Sequence, residues 1–164
     1  MDTILFVALH GIALQYPFLQ GIVVVCARLA IVAYPVFFLR LPAWRHAALQ
    51  SLIALVIAYA INIFIAIFWY RERPYADIPA EPLFGTSYLY DSFPSDHSAA
   101  AMALAASIFF HSSRTRGILA LALALSIGLA RVMAGVHYVS DVLAGFGIGL
   151  IAASVSAYVL RNKI

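Results

Sequence analysis

The sequence predicts an all-α membrane bundle: about five transmembrane helices preceded by a short amino-terminal interfacial helix. Three observations carry this fold class. Apolar residues make up 65% of the 164-residue chain and charged residues only 10%, whereas a soluble domain holds roughly 25% charged residues. The mean hydropathy is +0.97. The apolar residues also fall in long runs of about the length that crosses a hydrocarbon core of about 30 Å, with charges gathered at the ends of the runs. One membrane-embedded domain over residues 1–164 is expected, with no tandem repeat or linker.

The elements follow in order. Residues 4–14 are apolar but too short to span, and they lack the basic start and small-residue cleavage site of a secretory signal, so an interfacial helix is expected. Pro17 breaks the chain. Residues 18–39 then give a first span, closed by Arg40, Pro42 and Arg45. Residues 47–70 give a second. Residues 71–93, with Pro74, Pro79, Pro82, Gly85 and the acidic Glu72, Asp77, Glu81 and Asp91, read as an aqueous loop. Residues 97–110, 117–131 and 138–160 give the third, fourth and fifth spans. In the last, Gly145, Gly147 and Gly149 would let neighbouring helices approach closely. The third and fourth spans rise only about 21 to 24 Å, which places their outer ends slightly below the membrane surface.

Charge placement sets orientation and excludes some functions. Arg40, Arg45, Arg114, Arg116, Arg161 and Lys163 lie at the turns and tail that five alternating spans put on one side, which should be cytoplasmic. The acidic residues then lie on or near the outer face with Arg71, Arg73, Ser95, His97, Arg131 and His137. The protein is therefore expected in the plasma membrane as a multi-pass protein, with its polar constellation facing outward. The net charge of +3 forms no basic patch, so nucleic acid is not an expected partner, and no obligate protein partner is implied. Cys26 is the one cysteine, leaving no disulfide and no cysteine metal site.

Two polar stretches interrupt the apolar sequence. In the second, His137 and Asp141 are four apart, so on a helix they share a face and the carboxylate can accept the imidazole's spare N–H. In the first, Pro94 and Ser95 precede a small-residue run from Ser98 to Ala106. Ser95 is thus placed as a helix N-cap, with free N–H groups near Asp96 and His97 suited to phosphate. Arg131 and His137 are six apart and would not share a helical face, so Gly135 marks the bend that brings them together. His10, His46 and His111 are read as bonding neighbouring helices, Arg28 as snorkelling or pairing with outer acids, and Tyr88 and Tyr90 as interfacial anchors.

These residues carry a family resemblance. Arg73-Pro74, Pro94-Ser95-Asp96-His97 and Arg131-x5-His137-x3-Asp141 resemble, in order, the three signature motifs of the type 2 phosphatidic acid phosphatase superfamily. The wording of the second motif and the Tyr70-Arg71-Glu72-Arg73-Pro74 context most resemble the small bacterial undecaprenyl-diphosphate phosphatases. The resemblance covers about residues 62–149. Two positions depart from it: Ala66 stands where the family usually has lysine, seven before Arg73, and Ala130 stands where a serine usually precedes the arginine.

The resemblance implies a lipid phosphatase acting without metal or other cofactor. His137 would attack phosphorus, Asp141 would hold its tautomer, and His97 would protonate the leaving oxygen and then activate water. Arg73, Arg131, Ser95 and the backbone at Asp96 would bind phosphate oxygens, with Arg71 standing in for the absent lysine. The expected substrate is undecaprenyl diphosphate, with phosphatidylglycerol phosphate or a broad range of lipid phosphates as the alternative. An ion- or proton-conducting protein would need charge spread through the membrane depth, whereas here it sits at one end. A haloperoxidase of the wider superfamily is ordinarily soluble, against this composition.

Overall fold

The computed structural model describes residues 1–38, 44–85 and 91–161. Arg40, Pro42, Tyr88, Tyr90 and Lys163 lie outside these, as does the side chain of Arg161. The described chain is an all-α membrane bundle: α1 (Asp2–Gln15), α2 (Pro17–Arg28), a 3-10 turn (Ala30–Ala33), α3 (Tyr34–Phe38), α4 (Trp44–Phe68), α5 (Pro74–Asp77), α6 (Asp96–His111), α7 (Arg114–Met133) and α8 (Val139–Arg161).

α6 is the centre, packed against α4, α7 and α8. Its composition explains the position. Ala99, Ala103 and Ala106 are buried on one face of the helix and Ala101 and Ala105 on the opposite one, because methyl groups let neighbours approach one backbone from both sides. α8 meets it with glycine. A Cβ on Gly149 would lie 2.3 Å from Ala99 O, and one on Gly145 would lie 2.6 Å from Ser95 O, while Gly147 faces open space. Two of the three glycines expected to permit close approach therefore do so. Outward, Ile63, Phe64, Ile67, Phe68, Leu125, Leu143 and Ile151 are exposed, as they must be where the surrounding solvent is hydrocarbon.

Among the described residues three helices are long and apolar enough to cross a membrane, 45–68, 114–133 and 139–160, and the bent pair Asp2–Gln15 and Pro17–Arg28 makes a fourth if it counts as one span. α7 runs 20 residues, about 30 Å of rise, so the expectation that this span is short is corrected; of the two helices expected to be short, α6 is, at 16 residues. The expected first span, residues 18–39, is not one helix. Pro35 lacks an N–H and its ring crowds the carbonyl one turn back, and the chain breaks upstream, from Leu29 through the 3-10 turn. The fully buried Tyr34 fastens the piece after the break, donating its hydroxyl proton to Ala120 O at 3.1 Å.

α1 and α2 meet at Pro17, the first residue of α2, with a bend of 119°. α1 buries Phe6, His10 and Ala13 against the ends of α7 and α8 and leaves Ile4, Val7 and Leu14 exposed. His10 Nδ1–H donates to Met133 O at 2.8 Å, the helix-to-helix role expected of it. The direction of each helix fixes the ends of the bundle. α4 and α7 finish, and α6 and α8 begin, at the end that holds Arg71, Arg131, Asp96 and Asp141. Arg45, Arg114 and Arg116 lie at the other.

Candidate active site

A cavity of about 240 Å³ opens at that end, lined by Tyr59, Arg73, Asp91, Pro94, Asp96, His97, Arg131 and His137. Four elements deliver these groups. Arg73 stands just before α5 with extended backbone (φ −74, ψ 153), the conformation that Pro74 imposes on its predecessor. Asp96 and His97 open α6. Arg131 ends α7, and Gly135, at φ +84, turns the chain so that His137 faces back toward it. A side chain at Gly135 would be strained twice, by its backbone and by His10 Cε1 at 2.9 Å.

His137 is buried and its two nitrogens are held differently. Nδ1 lies 2.8 Å from Ser92 O, which can only accept, so Nδ1 carries the proton. Nε2 lies 3.3 Å from Arg131 Nη2, which can only donate, so Nε2 keeps its lone pair. The tautomer follows from the partners, with the Nε2 lone pair accepting from a guanidinium at the cavity wall. Burial, opposed by Asp141 and reinforced by the charges of Arg131 and Arg73, pushes the His137 imidazole down to about 4.

Asp141 does not hold His137 in the way the four-residue spacing suggests. Its Oδ2 lies 3.7 Å from Nδ1, beyond hydrogen-bond reach. That oxygen instead accepts from the Ser92 hydroxyl at 2.6 Å and the Tyr138 N–H at 2.8 Å, while Oδ1 accepts from Arg71 Nη1 at 2.7 Å. The direct orienting bond is thus replaced by an indirect one: Asp141 fixes the two segments that carry Ser92 O and His137. Ser92, fully buried, has no pattern in the sequence that singles it out; a lone serine in a loop reads as solvated.

Arg71 is a second correction. Expected on the phosphate, it is turned away from the cavity, bonded to Asp141, to Asp2 at 2.7 Å and to Ser140 Oγ at 2.6 Å, with its guanidinium 4.1 Å from the centre of the Tyr138 ring. Two carboxylates capture it before any substrate can. Burial works against its charge, yet the Asp2 bond and the fields of Asp141 and Asp2 hold its pKa above the ordinary range. Nothing cationic among the described residues lines the space beside Ala66, a recess of about 140 Å³ bordered by Asn62, Asp91 and Asp96.

Ser95 is a third. It caps α6 as expected, its Oγ accepting from Ser98 N at 3.4 Å and from the Ser98 hydroxyl at 3.0 Å, but it is fully buried and does not line the cavity. Capping turns the hydroxyl into the first turn of the helix. Asp96 does line the cavity, its Oδ1 bonded by Asn62 Nδ2 at 2.7 Å. A carboxylate repels phosphate, so only the unpaired backbone N–H groups of this helix start suit an anion. Arg73 donates to Val136 O at 3.1 Å and Asp91 O at 3.3 Å, and Arg131 to Ala27 O at 3.2 Å. Arg131 Nε is buried without a partner. Arg28 stacks on Phe84 at 5.2 Å, the ring that Arg131 also faces at 5.7 Å, and is not among the cavity-lining residues. Among the described residues no cluster of three or more His, Cys, Asp or Glu converges as metal ligands would.

Two guanidinium groups, a helix start and a histidine lone pair line one cavity, a set of groups whose chemistry suits a tetrahedral anion. Residues 47–164 match the family model of the PAP2 superfamily. The chain belongs to the PAP2 superfamily. It is a membrane-embedded hydrolase, a lipid phosphatase. It is 29% identical to the undecaprenyl-diphosphatase BcrC of Bacillus subtilis over 92% of this chain and 80% of that one. It is 31% identical to the bacitracin transport permease protein BcrC of Bacillus licheniformis, over 66% of this chain and about half, 53%, of that one. Two crystal structures share the fold. Aquifex aeolicus LpxE aligns with a TM-score of 0.83 at 23% identity over 96% of this chain and 94% of that one. A transmembrane PAP2-type phosphatidylglycerolphosphate phosphatase from Bacillus subtilis aligns at 0.72 and 26% identity, over 97% and 85%.

Proposed function

We propose that the protein hydrolyses undecaprenyl diphosphate to undecaprenyl phosphate through a phosphohistidine. The observation that carries this reading is the lone pair of His137 Nε2, held at the cavity wall beside Arg131 by a proton fixed on Nδ1. Nε2 attacks the terminal phosphorus; the bond to the bridging oxygen breaks, and the lipid phosphate leaves with a proton from His97. His97 then takes a proton from water, the oxygen attacks phosphorus, the N–P bond breaks and inorganic phosphate departs. Arg73, Arg131 and the N–H groups at Asp96 and His97 stabilise the charge on the transferring oxygens.

The lipid portion has a place adjoining the reaction. A second cavity, about 310 Å³, shares Tyr59, Asp96 and His97 with the first and continues along Ile31, Leu55, Ala58, Ala99 and Ala100 between α4 and α6. Its apolar walls suit an isoprenoid chain, and the likeness to the undecaprenyl-diphosphatase over most of both chains favours that substrate. The fold shared with the phosphatidylglycerolphosphate phosphatase makes that lipid the second reading. Phosphate release from the purified protein across undecaprenyl diphosphate, phosphatidylglycerol phosphate and phosphatidic acid tests both. We expect the diphosphate to be preferred, vanadate to inhibit, and His137→Asn and His97→Ala each to lose nearly all turnover while folded. Normal turnover in His137→Asn would sink the mechanism; preference for phosphatidylglycerol phosphate would replace the substrate.

The site faces outward in the plasma membrane on this reading, because Arg45, Arg114 and Arg116 gather at the opposite end of the bundle. In a Cys26→Ala background, Gly85→Cys should react with an impermeant thiol reagent in intact cells and Arg114→Cys should not. The reverse pattern refutes the orientation.

A further inference from the structure

Behind His137, away from the cavity, lies a network to which the motifs contribute only His137 and Asp141. Asp2, at the first turn of α1, spends its carboxylate on residues remote in sequence. Oδ2 accepts from Arg71 Nη2 at 2.7 Å and from the Ser140 hydroxyl, and Oδ1 accepts from Ser140 N at 3.1 Å. Arg71 Nη1 donates onward to Ser140 Oγ and Asp141 Oδ1. Asp141 Oδ2 takes the Ser92 hydroxyl and the Tyr138 N–H, and Ser92 O takes the proton of His137 Nδ1.

We propose that Asp2 is a positioning residue for the reaction, clamping Arg71 and Ser140 onto Asp141 and, through Asp141 and Ser92, fixing the His137 imidazole. This rests on His137 being the nucleophile. Geometry supplies the first reason. Arg71 reaches Asp141 across the chain with one guanidinium nitrogen, and a long side chain held at one end swings; Asp2 grips the other nitrogen, so the planar fork cannot rotate. Asp2 and Ser140 also form a closed set with Arg71, which fixes the residue immediately before Asp141.

Charge supplies a second reason. One guanidinium between two carboxylates leaves the rear of His137 with a net charge of about −1 near the ring, which favours the positive charge that the ring acquires when Nε2 bonds phosphorus. With Asp2 neutral, Arg71 cancels Asp141 and that field vanishes. Asp2 touches no substrate, and its effect falls on the chemical step rather than on binding.

The test compares Asp2→Asn, Asp2→Glu and His137→Asn in the full chain, purified in detergent, with a polyprenyl diphosphate as substrate. kcat and KM are measured separately, together with the thermal midpoint and the amount of phosphoenzyme trapped per chain by an alkaline denaturing quench, because the N–P bond hydrolyses in acid. We expect Asp2→Asn to lower kcat about tenfold at unchanged KM and unchanged trapped stoichiometry, and Asp2→Glu, which keeps the charge, to recover most of the loss. If Asp2→Asn matches the parent in kcat, or loses activity only in proportion to lost folded or phosphorylatable protein, Asp2 merely anchors α1 and the proposal fails. If Asp2→Glu is as slow as Asp2→Asn, the charge has no role and the proposal fails too. A fully active His137→Asn would instead overturn the underlying mechanism, whatever Asp2 does.

Discussion

Arg131 and Arg71 stand on opposite sides of the same histidine and serve it in opposite ways. Arg131, on the cavity side, donates to a backbone carbonyl at 3.2 Å and to His137 Nε2 at 3.3 Å, and one of its nitrogens has no partner. Arg71, on the rear, is bonded at 2.7 Å to each of two carboxylates. Both arginines make charge-assisted bonds, but those of Arg71 join opposite charges whereas those of Arg131 go to neutral acceptors, so a phosphate would recruit Arg131 more readily than it would pull Arg71 away. What makes an arginine a substrate ligand is therefore less its presence near the site than the weakness of what it already holds.

The largest effect that tests this contrast comes from the cavity side. Arg131→Ala removes the guanidinium that the proposed mechanism sets against the transferring oxygens, and we expect kcat to fall roughly a hundredfold to a thousandfold, the range seen when one transition-state donor is lost. Ser92→Ala, on the rear, removes the hydroxyl bonded to Asp141 but keeps the carbonyl that holds Nδ1. It should cost only about tenfold, the loss of one charge-assisted bond. Steady-state kinetics on both variants decide the matter: a loss in Ser92→Ala equal to that in Arg131→Ala would mean that the two sides of the ring are not different in kind.

The sequence reveals the cavity side far better than the rear. His97, Arg73, Arg131 and His137 are legible because reactive groups in apolar surroundings have few reasons to exist, and Gly135 is legible because six residues cannot bridge two helical faces unaided. The rear depends on contacts that no local spacing encodes. Asp2 and Ser140 are 138 residues apart, and Ser92 and Asp141 are 49 apart. The i, i+4 spacing of His137 and Asp141 suggested a direct bond because it assumes a helix through both, yet α8 begins only at Val139. Arg71 was misplaced for a related reason: proximity to Arg73 in sequence says nothing of the carboxylates waiting across the fold. The broken segment 18–39 shows the same limit in the fold itself. Hydropathy registers how apolar a run is, but one proline within it decides whether the run is a helix.

The smallest expected effect concerns the balance between the two sides at acid pH. Arg131 and Arg73 at the front disfavour a proton on His137 while Asp141 at the rear favours one, and with burial acting first the folded imidazole titrates at about 4. In the unfolded chain it titrates near 6.5. Between those values the unfolded state binds a proton that the folded state refuses, so the stability this group contributes is complete above about pH 6.5 and is lost as pH falls toward 4. The slope for one such group cannot exceed about 1.4 kcal/mol per pH unit. Thermal midpoints of the parent and of His137→Asn, taken in one detergent from pH 8 to pH 4.5, isolate it from every other titrating group the two share. The parent should lose stability faster than the variant below pH 6.5 and run parallel to it above. Inorganic phosphate should soften the parent's decline, since an anion on Arg131 and Arg73 cancels the front-side charge that keeps the ring unprotonated. Parallel curves throughout would mean that His137 takes up its proton in the fold as readily as in the unfolded chain, and that the rear carboxylate, not the front guanidinium groups and burial, governs the ring.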